Sequence, residues 1–391
     1  MCSQDAYPDT DTIRSLFPVT RHRIYFDHAS DGPMSQPASK AVGELLQAYM
    51  KEGKVEYTKC LETVAETRSL AARLMNVSPS EIAFIKNTSE GILTAMHAIP
   101  WRPGDNAVVM KDAFPATTYP WLYLLPDVEK RWVPLHDPSN DPQGKNFVMR
   151  LFDCVDTHTR AISIDWVHYL SGKRLELEEL GESCRTRGIF TIVDGIQGLG
   201  ALRLDCHRTQ CDFLSAGASK WLFGPQGTGI LYVSRERFEE LKPCNIGWLS
   251  ADWSNFQDFT TPAPLKENAL RLEEGTLNHI GVHGMRENLK IILSIGPERI
   301  ERWVTRLLDR LLKGLVELDC EILTPLDSEL RSGILSFRHP SIGSQELWNS
   351  LSNNDIACSL RNGWIRISPH LYNTGGEVDL ILETLREQIG G

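Results

Sequence analysis

Ile189-Phe190-Thr191-Ile192-Val193-Asp194-Gly195-Ile196-Gln197, then Asp212-Phe213-Leu214-Ser215-Ala216-Gly217-Ala218-Ser219-Lys220-Trp221, then Gly224-Pro225-Gln226-Gly227-Thr228-Gly229 leading into Ile230–Val233: this stretch decides the fold. Each segment holds a short apolar run, and each run is bounded by turn-forming residues. Runs of that length predict strands at Ile189–Val193, Phe213–Ser215 and Gly229–Val233, apolar throughout because both sheet faces are covered. Upstream, similar runs at Ile82–Ile85, Ala107–Met110, Arg131–Pro134 and Ala161–Trp166 alternate with amphipathic stretches at Glu62–Met75, Gly91–Ala98 and Leu175–Arg187. Strand and helix alternating at this pace predict an α/β architecture with a mainly parallel sheet. Ligands of such sheets sit at the carboxyl ends of the strands.

The pattern changes after about Thr276. A helical stretch runs from His283 towards Leu318, with Pro297 as a kink or restart. Short strands at Gly333–Phe337 and Trp364–Ser368 follow, with helices near Ser344–Leu351 and Glu377–Glu387. The expected organisation is an N-terminal segment over 1–24 packing with the small domain, a large domain over 25–276, and a linking helix with a smaller α+β domain over 277–391. No internal repeat or low-complexity tract interrupts it.

Composition bounds the function. The 391 residues carry 41 Lys+Arg against 51 Asp+Glu, a net charge of −10 without a basic stripe, which argues against nucleic acid or an anionic membrane as partner. No run of 18 apolar residues is present, and residues 1–14 hold no apolar stretch of signal-peptide type, so the expectation is a cytoplasmic protein. The nine cysteines are scattered without a CxxC pair, and Cys206 and Cys211 flank His207 without a second ligand pair, so no metal site is expected.

The chemistry concentrates at two strand ends. Taken singly, Asp194 is a turn former and Lys220 a solvated charge. Together they form the pair that pyridoxal phosphate requires. A lysine between a core strand and a rigid Gly-Pro turn is desolvated, which lowers its pKa and makes the amine nucleophilic, and a buried carboxylate pairs with the cationic ring nitrogen. Asn87-Thr88-Ser89-Glu90-Gly91 follows a strand and opens a helix, as either a plain cap or a phosphate cradle. Arg366, in Trp364-Ile365-Arg366-Ile367-Ser368, is a strand arginine among apolar residues; it needs an anion, either structural or a substrate carboxylate.

From Tyr25-Phe26-Asp27-His28-Ala29 to Ser368-Pro369-His370-Leu371-Tyr372-Asn373-Thr374 the chain resembles the aminotransferase class V family of fold-type I pyridoxal-phosphate enzymes, which includes cysteine desulfurases and isopenicillin-N-epimerase-like proteins. The resemblance implies a seven-stranded, mainly parallel sheet in the large domain. It implies that Lys220 is the Schiff-base lysine, that Asp194 faces the pyridine nitrogen, and that Gln197 bonds the phenolic oxygen. Phe114 would cover the ring, and Thr88 and Ser89 would hold the phosphate. Thr276, in Glu274-Gly275-Thr276, would come from a neighbouring subunit of a homodimer with shared sites. Arg366 would take the substrate carboxylate, His168 would contact the cofactor, and His28 and Trp248 would line the substrate pocket.

Three departures from that pattern bear on the reaction. Ser219 stands where many relatives have His, and Gly217 replaces a phosphate-binding hydroxyl. Ala357-Cys358-Ser359-Leu360-Arg361-Asn362-Gly363 runs straight into the arginine strand, without the loop on which desulfurases carry a nucleophilic cysteine. The expectation is therefore a transaminase or β-eliminating carbon–sulfur lyase acting on an amino acid, not a persulfide-forming desulfurase of the usual kind. The alternatives are an amino-acid epimerase and a non-catalytic binding protein on the same fold.

Overall fold

The computed structural model describes residues 7, 9–136, 139, 141, 144–253 and 258–390; Cys2 and the first residues of the expected 1–24 segment lie outside them. All seven expected runs are strands of one sheet: β1 (Ile82–Ile85), β2 (Asn106–Met110), β3 (Glu129–Val133), β4 (Thr159–Asp165), β5 (Phe190–Asp194), β6 (Phe213–Gly217) and β7 (Gly229–Val233). Their order across the sheet is 1-7-6-5-4-2-3. Every pairing is parallel except the two made by β7, which runs antiparallel to both neighbours. The cause is the connection. Residues 218–228 between β6 and β7 hold no helix, and a parallel return needs a crossover of a dozen residues or more. The chain therefore turns straight back and leaves the loop bearing Lys220 at the carboxyl end of β6. Strands β2, β5, β6 and β7 are buried along their whole length, as their unbroken apolar runs require.

Helices cover both faces: α1 (Gln36–Glu52), α2 (Tyr57–Met75), α3 (Thr88–Ala98), α4 (Pro115–Tyr123), α5 (Leu177–Thr186) and α6 (His279–Ile295). Helix α2 is tied to the sheet by a buried bidentate pair. Arg68 Nη1 and Nη2 donate to Glu273 Oε1 and Oε2 at 2.7 and 3.0 Å, and Glu273 also accepts the Phe84 N–H at 2.7 Å.

The expected long helix is two. Gly296, at φ +96°, ends α6, and Pro297 opens α7 (Pro297–Glu317). Helix α7 buries Ile300, Val304, Leu307, Leu308, Leu311 and Leu315, one face at helical spacing. At Gly314 a Cβ would lie 2.4 Å from the Leu382 side chain, so a larger residue there would have to displace that leucine. Next come β8 (Glu321–Ile322), β9 (Leu335–Arg338), α8 (Ser344–Asn353), β10 (Ser359–Arg361), β11 (Trp364–Ile367) and α9 (Gly375–Gly390). The four strands form an antiparallel sheet ordered 10-11-9-8. This is the smaller α+β domain.

The N-terminal residues reach this end of the chain. Tyr7 donates to the Leu371 carbonyl at 2.7 Å, Arg14 pairs with Glu377 at 2.9 Å, and Ile24–Tyr25 pairs parallel with Ile356–Ala357. Among the described residues no helix is long and apolar enough to cross a membrane.

Candidate active site

The register of β4, β5 and β6 sets Asp165 beside Asp194 and Asp194 beside Ser215, all at the carboxyl ends of their strands. There the sheet opens into a cavity of about 420 Å³, closed on its far side by the small domain. Seven of the eleven expected site residues line it: Lys220, Asp194, Gln197, Thr88, Ser89, Phe114 and Arg366.

Asp194 is 3% exposed. One carboxylate oxygen accepts the Ile196 N–H at 2.9 Å, and the other is buried without any partner. Burial raises its pKa. A buried carboxylate oxygen left in that state costs on the order of 1–3 kcal/mol or more unless a donor meets it. Its neighbour Asp165 differs. Both its oxygens are used, by the Phe114 N–H at 2.8 Å and the Thr117 hydroxyl at 2.7 Å, so Asp165 positions Phe114 and leaves only Asp194 facing the cavity unpaired.

Lys220 stands opposite, its Nζ 5.5 Å from the centre of the Phe114 ring. Burial, opposed by the Asp194 charge and reinforced by Arg366 and Arg361, pushes its pKa down to about 8. The loop that carries it is rigid. The Gly32 N–H donates to the Ser219 carbonyl at 2.6 Å, and a Cβ at Gly32 would lie 2.0 Å from the Lys220 carbonyl oxygen. Trp221 is buried and donates to Gln197 Oε1 at 2.9 Å, while Gln197 Nε2 donates to the Ala29 carbonyl at 3.0 Å. One Nε2–H of Gln197 is left to face the cavity.

Thr88 and Ser89 form the first turn of α3, whose Asn87 cap accepts the Glu90 N–H. Free N–H groups at a helix start suit a phosphate. Gly217 spends its own N–H on the Thr88 hydroxyl at 2.9 Å. Thr228 lines the cavity too, with its hydroxyl donating to the Pro225 carbonyl at 2.5 Å.

Arg366 is 2% exposed. Its Nη1 donates to the Tyr169 carbonyl and its Nη2 to the Ser30 hydroxyl, both at 2.7 Å, and Asp27 lies 3.7 Å away. The Nε has no partner, so one edge of the guanidinium awaits an acceptor.

Four expected residues lie elsewhere. His28 is fully buried between the Ser368 carbonyl at 2.7 Å and the Tyr372 hydroxyl at 2.8 Å. His168 faces away: its Nδ1 meets Ser171 at 2.8 Å and its Nε2 the Asp112 carbonyl at 3.1 Å, and burial lowers its pKa to about 4. Trp248 lies beside Gly275, outside the cavity lining. Thr276 lines a smaller cavity that shares Lys86, Gly227 and Thr228 with the main one. Sequence reasoning missed Ser30, Tyr169, Thr228 and Arg361; Ser30 and Tyr169 lie on loops that no motif marks.

An unpartnered buried carboxylate oxygen, a desolvated lysine opposite it and a helix start with free N–H groups together fit pyridoxal phosphate at its nitrogen, aldehyde and phosphate. The fold and this site define a fold-type I pyridoxal-phosphate-dependent enzyme. Residues 24–381 match the aminotransferase class-V family, and the chain belongs to it. A probable cysteine desulfurase of Methanothermobacter thermautotrophicus is 28% identical over 97% of this chain and 98% of its own length. A cysteine desulfurase of Salmonella agona is 28% identical over 96% and 97%. Among solved structures, the apo form of a cysteine desulfurase from Thermococcus onnurineus superposes with a TM-score of 0.86 at 25% identity, covering 100% of both chains.

These likenesses overturn the expected reaction. The exclusion of desulfurases, and with it the transaminase or β-eliminating lyase expectation, rested on the short segment between Cys358 and Arg366. In the structure that segment is a two-residue hairpin: Arg361 pairs with Trp364 across Asn362 and Gly363, both in the left-handed region at φ 50° and 79°. The spacing reports how two strands are joined and leaves the chemistry of the cavity untouched. Cys358 itself is buried, and burial pushes its thiol up to about 12.

Proposed function

We propose that this protein removes sulfur from L-cysteine, as the names of its full-length relatives suggest. The supporting observation is the cavity in which Lys220, the free edge of Asp194 and the free edge of Arg366 converge. When bound, pyridoxal phosphate supplies an electrophilic aldehyde and a ring that withdraws electrons from the amino-bearing carbon. Lys220, shifted to about 8, offers a neutral amine in a large fraction at mildly alkaline pH and can carry a proton to and from that carbon. The unpartnered oxygen of Asp194 would hold a proton on the ring nitrogen. The Nε edge of Arg366 grips the substrate carboxylate, and Ser30 and the Tyr169 carbonyl fix the guanidinium plane. Thr88 and Ser89 would hold the phosphate, Phe114 would cover the ring, and Gln197 would face the phenolic oxygen.

The overall change breaks the carbon–sulfur bond of cysteine, passes the sulfur to a thiol as a persulfide and leaves alanine, with the thiol proton balancing the new C–H bond. We also propose a cytoplasmic homodimer. Exposed Tyr57, Leu61 and Trp248 offer apolar surface, and the small cavity at Thr276 opens beside the main one. The deciding experiment incubates cofactor-loaded protein with L-cysteine and a reductant. Alanine and sulfide in equal amounts are expected, and neither from Lys220→Ala. Pyruvate in place of alanine refutes the reading.

A further inference from the structure

The residue after Lys220 is a tryptophan that the proposed chemistry leaves unused. Lys220 lines the cavity, whereas Trp221 is fully buried and lies outside the lining. A buried indole N–H needs an acceptor, and here it is Gln197 Oε1 at 2.9 Å. The surroundings leave the indole little freedom. A Cβ at Gly333 would lie 2.6 Å from its ring, and one at Gly200 would lie 2.5 Å from its carbonyl oxygen. That same carbonyl accepts from His370 Nε2 at 2.8 Å, which ties the turn to the small domain.

The two ends of a glutamine amide have nearly the same shape, so their partners decide which end points where. Both partners of Gln197 are unambiguous. An indole N–H only donates, so it must meet the amide oxygen; the Ala29 carbonyl only accepts, so at 3.0 Å it must meet the amide nitrogen. Gln197 is 3% exposed, and turning the amide over would set N–H against N–H and oxygen against oxygen where water cannot compensate. The amide is therefore locked, with its oxygen turned to Trp221. Its second Nε2–H has no acceptor among the described residues, on a side chain that lines the cavity.

We propose that Trp221 is a positioning residue that fixes Gln197 as a hydrogen-bond donor to the cofactor's phenolic oxygen and so favours the ionised form of that oxygen. The indole N–H polarises the amide it bonds, which strengthens the donor at the amide's other end. Trp221 thus acts on the cofactor through Gln197 and touches neither the ring nor the substrate. The inference rests on the cofactor placement of the proposed function, with Gln197 beside the phenolic oxygen, and it is independent of which amino acid reacts.

The test titrates the visible absorbance of the cofactor-loaded protein with pH, which reads the ionisation of the chromophore without turnover. Trp221→Phe keeps a ring in the site and removes the N–H. A donor lost from an anion should move the titration midpoint up by about one to two pH units. Gln197→Leu should move it as far, and the double variant no further, because both changes break one path. A shift with Gln197→Leu and none with Trp221→Phe, or shifts that add in the double variant, overturn the role of Trp221 and leave the cofactor placement standing. No shift with Gln197→Leu overturns that placement as well. Should Trp221→Phe fail to fold, the indole N–H resonance of Trp221 in isotope-labelled protein decides. It should move when cofactor is added to the apo protein and stay in place in Gln197→Leu; equal movement in both, or none in either, overturns the assignment.

Discussion

Asp194→Asn is the substitution whose consequences have opposite signs in the apo and cofactor-bound proteins. The asparagine oxygen keeps the Ile196 N–H that Asp194 accepts at 2.9 Å. The amide nitrogen replaces the carboxylate oxygen that is buried without a partner. In the apo protein this removes an unmet buried charge, worth on the order of 1–3 kcal/mol. Because burial raises the Asp194 pKa above its unfolded value, the native state is penalised as pH rises through the carboxylate range. The gain from asparagine is therefore present at neutral pH and disappears in acid, where both states hold the proton. In the cofactor-bound protein the effect reverses. A charge-assisted bond to the ring nitrogen contributes roughly 1.5–3 kcal/mol, and its loss weakens cofactor retention about 10- to 150-fold. Thermal denaturation of the apo protein at two pH values and a cofactor titration followed by Trp fluorescence read the two effects separately. Unchanged cofactor affinity, or an apo protein less stable than the parent at neutral pH, would show that the free oxygen of Asp194 does not face the ring.

Three further outcomes follow from the same geometry. With the Lys220 amine near 8, borohydride trapping of added pyridoxal phosphate should rise with pH and level off above about 8, whereas an unshifted lysine would climb to roughly 10.4; a continuing rise refutes the shift. Arg366→Ala removes the free guanidinium Nε–H, one charge-assisted bond worth roughly 1.5–3 kcal/mol, so kcat/KM for the amino acid should fall about 10- to 150-fold through KM with the cofactor absorbance intact. Glu273→Gln breaks the buried pair with Arg68, and loss of one partner leaves an uncompensated charge costing about 3–5 kcal/mol. Its thermal midpoint should drop far more than that of Glu321→Gln, whose pair with Arg338 is exposed.

Much of the large domain is legible because its strands are buried on both faces. Phe190–Asp194 and Gly229–Val233 can hardly be read otherwise, and the structure moves their bounds by a residue at most. The direction of β7 is invisible in its own run and follows only from the shortness of 218–228. Helices α1 and α4 escape the periodicity for chemical reasons: α4 starts on Pro115 and contains Pro120, which reads as a break. In the site, the residues that could be found are those at strand ends and a helix start, where position itself signals chemistry. His28 and His168 show the converse. A lone histidine carries no positional signal, and both have their ring nitrogens engaged inside the protein.

The segment from Cys358 to Arg366 is the most instructive, because the signal needed to read it stands in the sequence. Asn362-Gly363 between two apolar runs is a two-residue hairpin, since both positions demand positive φ. Read as a hairpin, the segment has its faces assigned by alternation alone: Ser359 and Arg361 share one face, with Leu360 on the other. Cys358 has a buried thiol, pushed up to about 12, that contributes nothing to the cavity wall. The charged residue that does line the cavity is three positions further on. A turn dipeptide that sets the register of a strand thus determines which of its side chains can meet a substrate, and it does so before any catalytic motif is considered.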